Sequence, residues 1–157
     1  MKKWKKFIII LLIIANVIIL TFFTPIAFKT IIPSQFNFTQ KLSNKDLTLE
    51  VKPGTITRDG VTIIYKNNTD NPMGYGAEYF LEYKMFGDWY MIKPTNLFHV
   101  YLLKIYYVEP HSEKERIFHC DDMYGHLRKG KYRIVHDIIN TQDRTKDLYT
   151  YVEFEIK

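Results

Sequence analysis

From Phe7 to Phe28 the chain runs through Ile, Leu, Val, Phe and Ala without a charge, interrupted only by Asn16, Thr21, Thr24 and Pro25. A helix rises 1.5 Å per residue and needs about 20 residues to cross a hydrocarbon core of roughly 30 Å. The segment is therefore long enough to span a bilayer, and longer than the usual apolar stretch of a secretory signal. Beyond residue 46 the pattern changes to strict alternation. Leu47, Leu49 and Val51 alternate with Thr48 and Glu50 until Lys52-Pro53-Gly54, and Val61, Ile63 and Tyr65 repeat the period until the turn formers of Asn67–Pro72. Such runs, bounded by Pro, Gly and Asn, predict strands.

Further strands are predicted over Tyr79–Lys84 and Trp89–Lys93, joined as a hairpin across Met85-Phe86-Gly87-Asp88 with Gly where φ is unusual. The aromatic and branched run Leu97–Val108 reads as another, Arg116–Cys120 as a short one. Tyr132 and Ile134, extending to His136, and finally Val152, Phe154 and Ile156 close the series. No apolar i, i+3, i+4, i+7 stripe persists for three turns beyond residue 46, so no helix is predicted outside the apolar segment. Seven or eight short strands in this space predict an all-β sandwich whose two sheets bury their apolar faces against each other, with a barrel as the alternative. Residues 29–46, with Pro33, Ser34, Gln35, Asn37 and Gln40 and no clear period, read as a tether.

Charge changes the picture in one place. The formal net is +5, from 22 basic and 17 acidic residues, but Lys2, Lys3, Lys5, Lys6 and Lys29 fall in the first 30 positions, where there is no Asp or Glu. The remaining 17 basic residues balance the acidic ones, so the folded part lacks the basic footprint that nucleic-acid binding requires. Four Lys ahead of the apolar segment predict an N-terminus inside and everything past residue 30 outside, by the positive-inside rule. Two fates remain for the segment. It is a retained signal anchor, or it is cleaved near Ala27, where Pro25 makes a poor processing site. The single Cys rules out an intramolecular disulfide framework and a multi-Cys zinc cage.

The candidate chemistry is sparse. His119, Cys120, Asp121, Asp122 and His126 are the densest set of ligand-type residues, but on a strand His119 and Cys120 face opposite ways, and no second cluster completes a shell. Neither a metal nor another cofactor is expected. Cys120 as a nucleophile would need one of His99, His111, His119, His126 or His136 as a positioned base; packing as a small hydrophobe is the simpler role. Trp89-Tyr90, Tyr106-Tyr107 and Tyr149–Tyr151 offer an aromatic surface for glycans or peptides. Asn37-Phe38-Thr39 and Asn67-Asn68-Thr69 match glycosylation sequons, short enough to arise by chance.

The most specific stretch is Leu127-Arg128-Lys129-Gly130-Lys131-Tyr132, followed by an alternating strand. Leu-x-x-Gly-x-Tyr is the pattern of a tyrosine corner, in which the hydroxyl returns to upstream backbone. With the Leu47–Val51 and Val61–Tyr65 strands, Trp89-Tyr90, and Val152-Glu-Phe-Glu-Ile, it resembles a family of bacterial immunoglobulin-like domains of exported and membrane-tethered proteins, over roughly residues 46–157. The chain departs from that pattern in having His119-Cys120-Asp121-Asp122 ahead of Tyr124-Gly125.

The resemblance implies a disulfide-free Ig-like β-sandwich without catalytic residues, with Leu127, Gly130, Tyr132 and Trp89 in structural roles. The expected organisation is a basic stub (1–6), a transmembrane helix (7–28), a tether (29–46) and an Ig-like domain (47–157). The expected protein is not an enzyme. It is a single-pass component of the bacterial cytoplasmic membrane, or a secreted one if cleaved, that binds a cell-envelope protein or polymer or acts as a spacer. An alternative is an accessory or sensor subunit whose span docks on another membrane protein, with Asn16 as interhelical glue. A small metal- or thiol-dependent enzyme is the weakest reading.

Overall fold

The computed structural model describes Trp4 and residues 6–16, 31–36, 46–95, 104–140 and 148–157. The chain divides into two units, Met1–Ile31 and Ile32–Lys157. In the first, residues 6–16 are helical. Among the described residues no helix is long and apolar enough to cross a membrane. The predicted span extends through residues 17–28, which lie outside the described residues, as do Lys2, Lys3 and Lys5.

The second unit holds two sheets. The smaller has the order β2-β3-β8, from β2 (Leu47–Val51), β3 (Gly60–Asn67) and β8 (Glu113–His119). The larger is seven-stranded and runs β1-β6-β5-β9-β4-β7, with β10 also on β9. Its members are β1 (Ile31–Pro33), β4 (Met73–Gly76), β5 (Phe80–Met85), β6 (Asp88–Ile92), β7 (Ile105–Val108), β9 (Gly130–Asn140) and β10 (Leu148–Ile156). The long β9 organises this sheet. Along one side it pairs with β10 from Gly130 to Ile138; along the other it pairs first with β5, through Tyr132–Val135, and then with β4, through Ile138–Asn140.

The core forms where the alternating positions of the two sheets meet. Ile134, Ile138, Leu81 and Tyr75 from the large sheet, and Val61, Ile63, Tyr65 and Phe118 from the small one, are almost wholly buried. Rings lock the layers together: Tyr65 stacks on Tyr75 at 4.1 Å, and Tyr79 and Phe118 meet edge to face at 4.9 Å. At the β5–β6 turn Met85 pairs with Asp88, and both residues between them have positive φ, Phe86 at 54° and Gly87 at 98°. That is the two-residue hairpin geometry whose twist matches the strands.

Three elements differ from the sequence expectation. Cys120–Tyr124 is a five-residue helix rather than the end of a strand; it buries Cys120, Met123 and Tyr124, and is closed by Gly125 at φ 65°. Met73–Gly76 is a strand in a stretch whose glycines hid the alternation. Residues 31–36 are not a free tether: β1 is an edge strand beside β6, the Ser34 N–H donates to the Trp89 carbonyl at 3.0 Å, and Phe36 packs against Phe80 and Tyr149, each at 5.1 Å. The predicted run from Leu97 falls largely on residues outside the described set, with only its end seen as β7.

Candidate functional site

Gly130 opens β9 at φ 146°, and a Cβ there would lie 2.5 Å from the Tyr83 ring. Two residues on, Tyr132 turns inward beside Phe154 and Tyr83. Its hydroxyl donates to the Arg128 carbonyl at 2.9 Å and accepts the Arg128 N–H at 3.1 Å, closing the loop before the strand. Burial pushes this phenol up to about 12, against the opposing pull of the Arg128 backbone bond. Leu127 is buried, and its backbone is held on both sides by Arg58: the Arg58 carbonyl accepts its N–H at 2.6 Å, and the Arg58 Nε donates to its carbonyl at 3.0 Å. Leu127, Gly130 and Tyr132 thus act together as a turn-fixing group. Trp89 lies elsewhere. It is half-buried on β6, on the sheet face pointing away from the sandwich core.

That outer face carries the first of two arginine-centred clusters. Ile134 and His136 face the small sheet, so Arg133 and Val135 face away from it. Arg133 is 6% exposed all the same, because its guanidinium lies between the rings of Trp89, at 4.5 Å, and Tyr151, at 5.1 Å. Its Nε donates to the carboxylate of Glu82, its cross-strand partner on β5, which is fully buried. A terminal nitrogen reaches the Ser34 hydroxyl at 3.3 Å. A buried ion pair costs desolvation that only good geometry and added hydrogen bonds offset. Here the Ser34 hydroxyl and the two ring faces support the guanidinium, while Glu82 Oε1 has no hydrogen-bond partner among the described residues.

The second cluster lies at the seam between the sheets on the β7–β8 side. A ladder of rings runs out to it from the core: the fully buried His136 is edge-on to Tyr65 and Tyr75 at 5.8 Å, and Tyr75 stacks on Tyr106 at 5.5 Å. Arg116 lies alongside, 5.7 Å from Tyr75, 5.1 Å from Tyr106 and 4.7 Å from Phe118, and donates to the carbonyls of Gly76 at 3.0 Å and Ala77 at 2.6 Å. It ties the small sheet to the end of β4. Burial drives the His136 pKa well below 6.5, and the Arg116 charge adds to the effect. Burial likewise raises the phenols of Tyr65 and Tyr75, opposed in both by Arg116.

The other sequence candidates are committed to local structure. His126 Nδ1 is 2.5 Å from Asp59, and His111 Nε2 is 2.7 Å from Asp70, both at the surface. Cys120 is fully buried at the start of the short helix, while His119 ends β8. Among the described residues no group of three His, Cys, Asp or Glu is arranged to hold a metal ion. Of the ring pairs read as a binding surface, Trp89 and Tyr151 are spent on Arg133 and Tyr106 on Arg116, whereas Tyr107 is 42% exposed. Asn67, in the second sequon, is 1% exposed. Its amide donates to the carbonyls of Asn71, Val108 and Glu109 at 2.8–3.1 Å, and its oxygen accepts from Thr69. It is a structural bracket between β3 and the end of β7. The first sequon, at Asn37, lies outside the described residues.

Residues 41–155 match the model of a family described as bacterial Ig-like domain. No curated protein matches the chain. Among solved structures, a crystal structure of a protein from Archaeoglobus fulgidus is similar at 16% identity, with 71% of this chain and 98% of that one covered and a TM-score of 0.29.

Proposed function

Because the chain belongs to the bacterial Ig-like domain family, we propose that it is a membrane-anchored module, working by non-catalytic binding or spacing on the outer face of the bacterial cytoplasmic membrane. The observation that carries the anchor is the character of the N-terminal helix. From Phe7 to Ile14 eight consecutive apolar side chains point in all directions, each 49–60% exposed. A helix apolar all round is stable in the core of a large protein or in lipid, and residues 7–28 continue that composition over the length a bilayer needs. The basic residues ahead of the segment orient it with the Ig-like domain outside.

The non-catalytic reading is supported by the family and by the use made of the chain's reactive side chains. His136, Arg133 and Arg116 are engaged in ring contacts, an ion pair or backbone bonds within the sandwich, and His111 and His126 lie against Asp70 and Asp59 at its surface. In the accessory-subunit reading the Asn16 amide, which donates one N–H to the Leu12 carbonyl of its own helix at 2.8 Å, would offer its second N–H and its oxygen to a partner span. Protease added to intact spheroplasts tests the topology. A C-terminal epitope is expected to be removed; its protection would overturn the outside placement.

A further inference from the structure

The strand β8 reads Glu113-Lys114-Glu115-Arg116, neutral along the chain but sorted by charge once it is pleated. Glu113 and Glu115 face outward from the small sheet and pair with Lys66 at 2.8 Å and Lys52 at 2.7 Å. Lys114 and Arg116, opposite Tyr65 and Ile63 in register, turn toward the seam. Lys104, just ahead of β7, arrives there from the other sheet. The three cations converge on one ring: Lys104 Nζ is 4.9 Å, Arg116 Cζ 5.1 Å and Lys114 Nζ 6.0 Å from the Tyr106 centroid.

Among the described residues no carboxylate forms an ion pair with any of the three. An aromatic face attracts a cation by about 0.5–1 kcal/mol at an exposed site, which does not cancel the mutual repulsion of three positive charges. Donors remain available as well. Arg116 has five N–H groups, of which one goes to Gly76 and one to Ala77 while the fork also faces the buried Tyr65 hydroxyl; Lys114 has three, of which one goes to Tyr107 at 3.2 Å. The backbone bonds fix the two side chains in place, and the remaining N–H groups, with the exposed Lys104, form a preorganised cationic cradle.

We propose that this cradle, Lys104, Lys114 and Arg116 around Tyr106, is a binding site for the phosphate of a soluble or polymer-borne phosphate ester. Arg supplies a planar fork and the two Lys supply point charges, the combination that recognises a phosphoryl group. The site rests on the binding reading above and gives it a ligand class.

The test is a calorimetric titration of the full chain, in a nonionic phosphate-free detergent, with glycerol 3-phosphate. Saturable binding that weakens with added salt is expected, with an affinity about tenfold lower in the Lys104→Gln, Lys114→Gln chain. The Lys52→Gln, Lys66→Gln chain loses the same net charge from the opposite face and is expected to bind within about twofold of the parent. If the first variant melts early, Lys104→Gln alone, at an exposed position, carries the comparison. Absence of saturation at millimolar ligand, or equal losses in the two double variants, would overturn the site. Binding to phosphatidylglycerol vesicles without binding to the soluble ester would also overturn it, in favour of a headgroup contact. Because the titration uses purified protein, it can fail while the anchor and topology stand.

Discussion

Lowering the pH from 8 to 5.5 should destabilise the Ig-like unit through a single core residue, His136. The ring is fully buried between Tyr65, Tyr75, Tyr79 and Phe118, and neither of its nitrogens has a hydrogen-bond partner among the described residues. Burial and the Arg116 charge hold its pKa well below 6.5 in the folded state, while in the unfolded chain it titrates near 6.5. Above that value both states carry a neutral ring and pH has no leverage. Below it the unfolded chain binds a proton that the native state refuses, so stability falls as pH falls. The slope is about 1.4 kcal/mol per pH unit for as long as the folded ring stays neutral. Between pH 8 and 5.5 one site therefore removes about 1.4 kcal/mol.

Urea unfolding of the full chain in nonionic detergent, followed by near-ultraviolet circular dichroism at both pH values, measures it. The same pair of measurements on His136→Phe isolates this residue from the carboxylates and the exposed histidines, because only its own contribution differs between the two chains. The stability of the variant relative to the parent should improve by about 1.4 kcal/mol on going from pH 8 to 5.5. A difference between the two chains that does not change with pH would refute the buried, neutral state of His136.

Other perturbations probe the remaining parts. Tyr132→Phe removes a hydroxyl that both donates to and accepts from Arg128; a loss of about 1–3 kcal/mol is expected in chemical denaturation, and no loss would undo the corner's role. Arg133→Met strands the buried Glu82 carboxylate and should cost about 3–5 kcal/mol at neutral pH; adding Glu82→Leu should recover most of it in a double-mutant cycle, and additive losses would contradict the coupling. Asn67, enclosed by three carbonyls, should remain unmodified when the chain is made in a glycosylating host, as read by peptide mass spectrometry.

The sandwich was legible in the sequence wherever one face of a strand is buried and the other wet. Leu47–Val51 and Val152–Ile156 alternate for that reason, whereas in Val61–Tyr65 the intervening Thr62 is buried and Ile64 half-buried; each is a strand in the structure. The corner residues were legible because Gly130 and Tyr132 serve one local geometry at fixed spacing. Met73–Gly76 was not. A Cβ at Gly76 would fall 2.8 Å from the Asp137 carboxylate, and one at Gly74 3.2 Å from Ile105; these positions are glycine because neighbouring side chains fill the space, which removes the alternation a reader looks for. The helix at Cys120–Tyr124 is too short to develop a period.

Nothing in the sequence around Arg133 reveals that Trp89, Tyr151 and Ser34 cover it. Trp89, expected in a structural role, lies against that arginine. The cationic cradle is hidden for a related reason. Glu-Lys-Glu-Arg is neutral as a string, and only the pleat, with Lys52 and Lys66 drawing the acids to one side, leaves Lys114 and Arg116 beside Lys104.

The anchored-module account is tested most directly by the intact mass of the protein recovered from the membrane fraction of cells after alkaline carbonate washing. The account predicts a full-length mass retained in the washed membranes, with residues 7–28 still attached to the Ig-like domain. A chain lacking about its first 27 residues and released into the soluble exported fraction would contradict the anchor and make the protein a secreted Ig-like module.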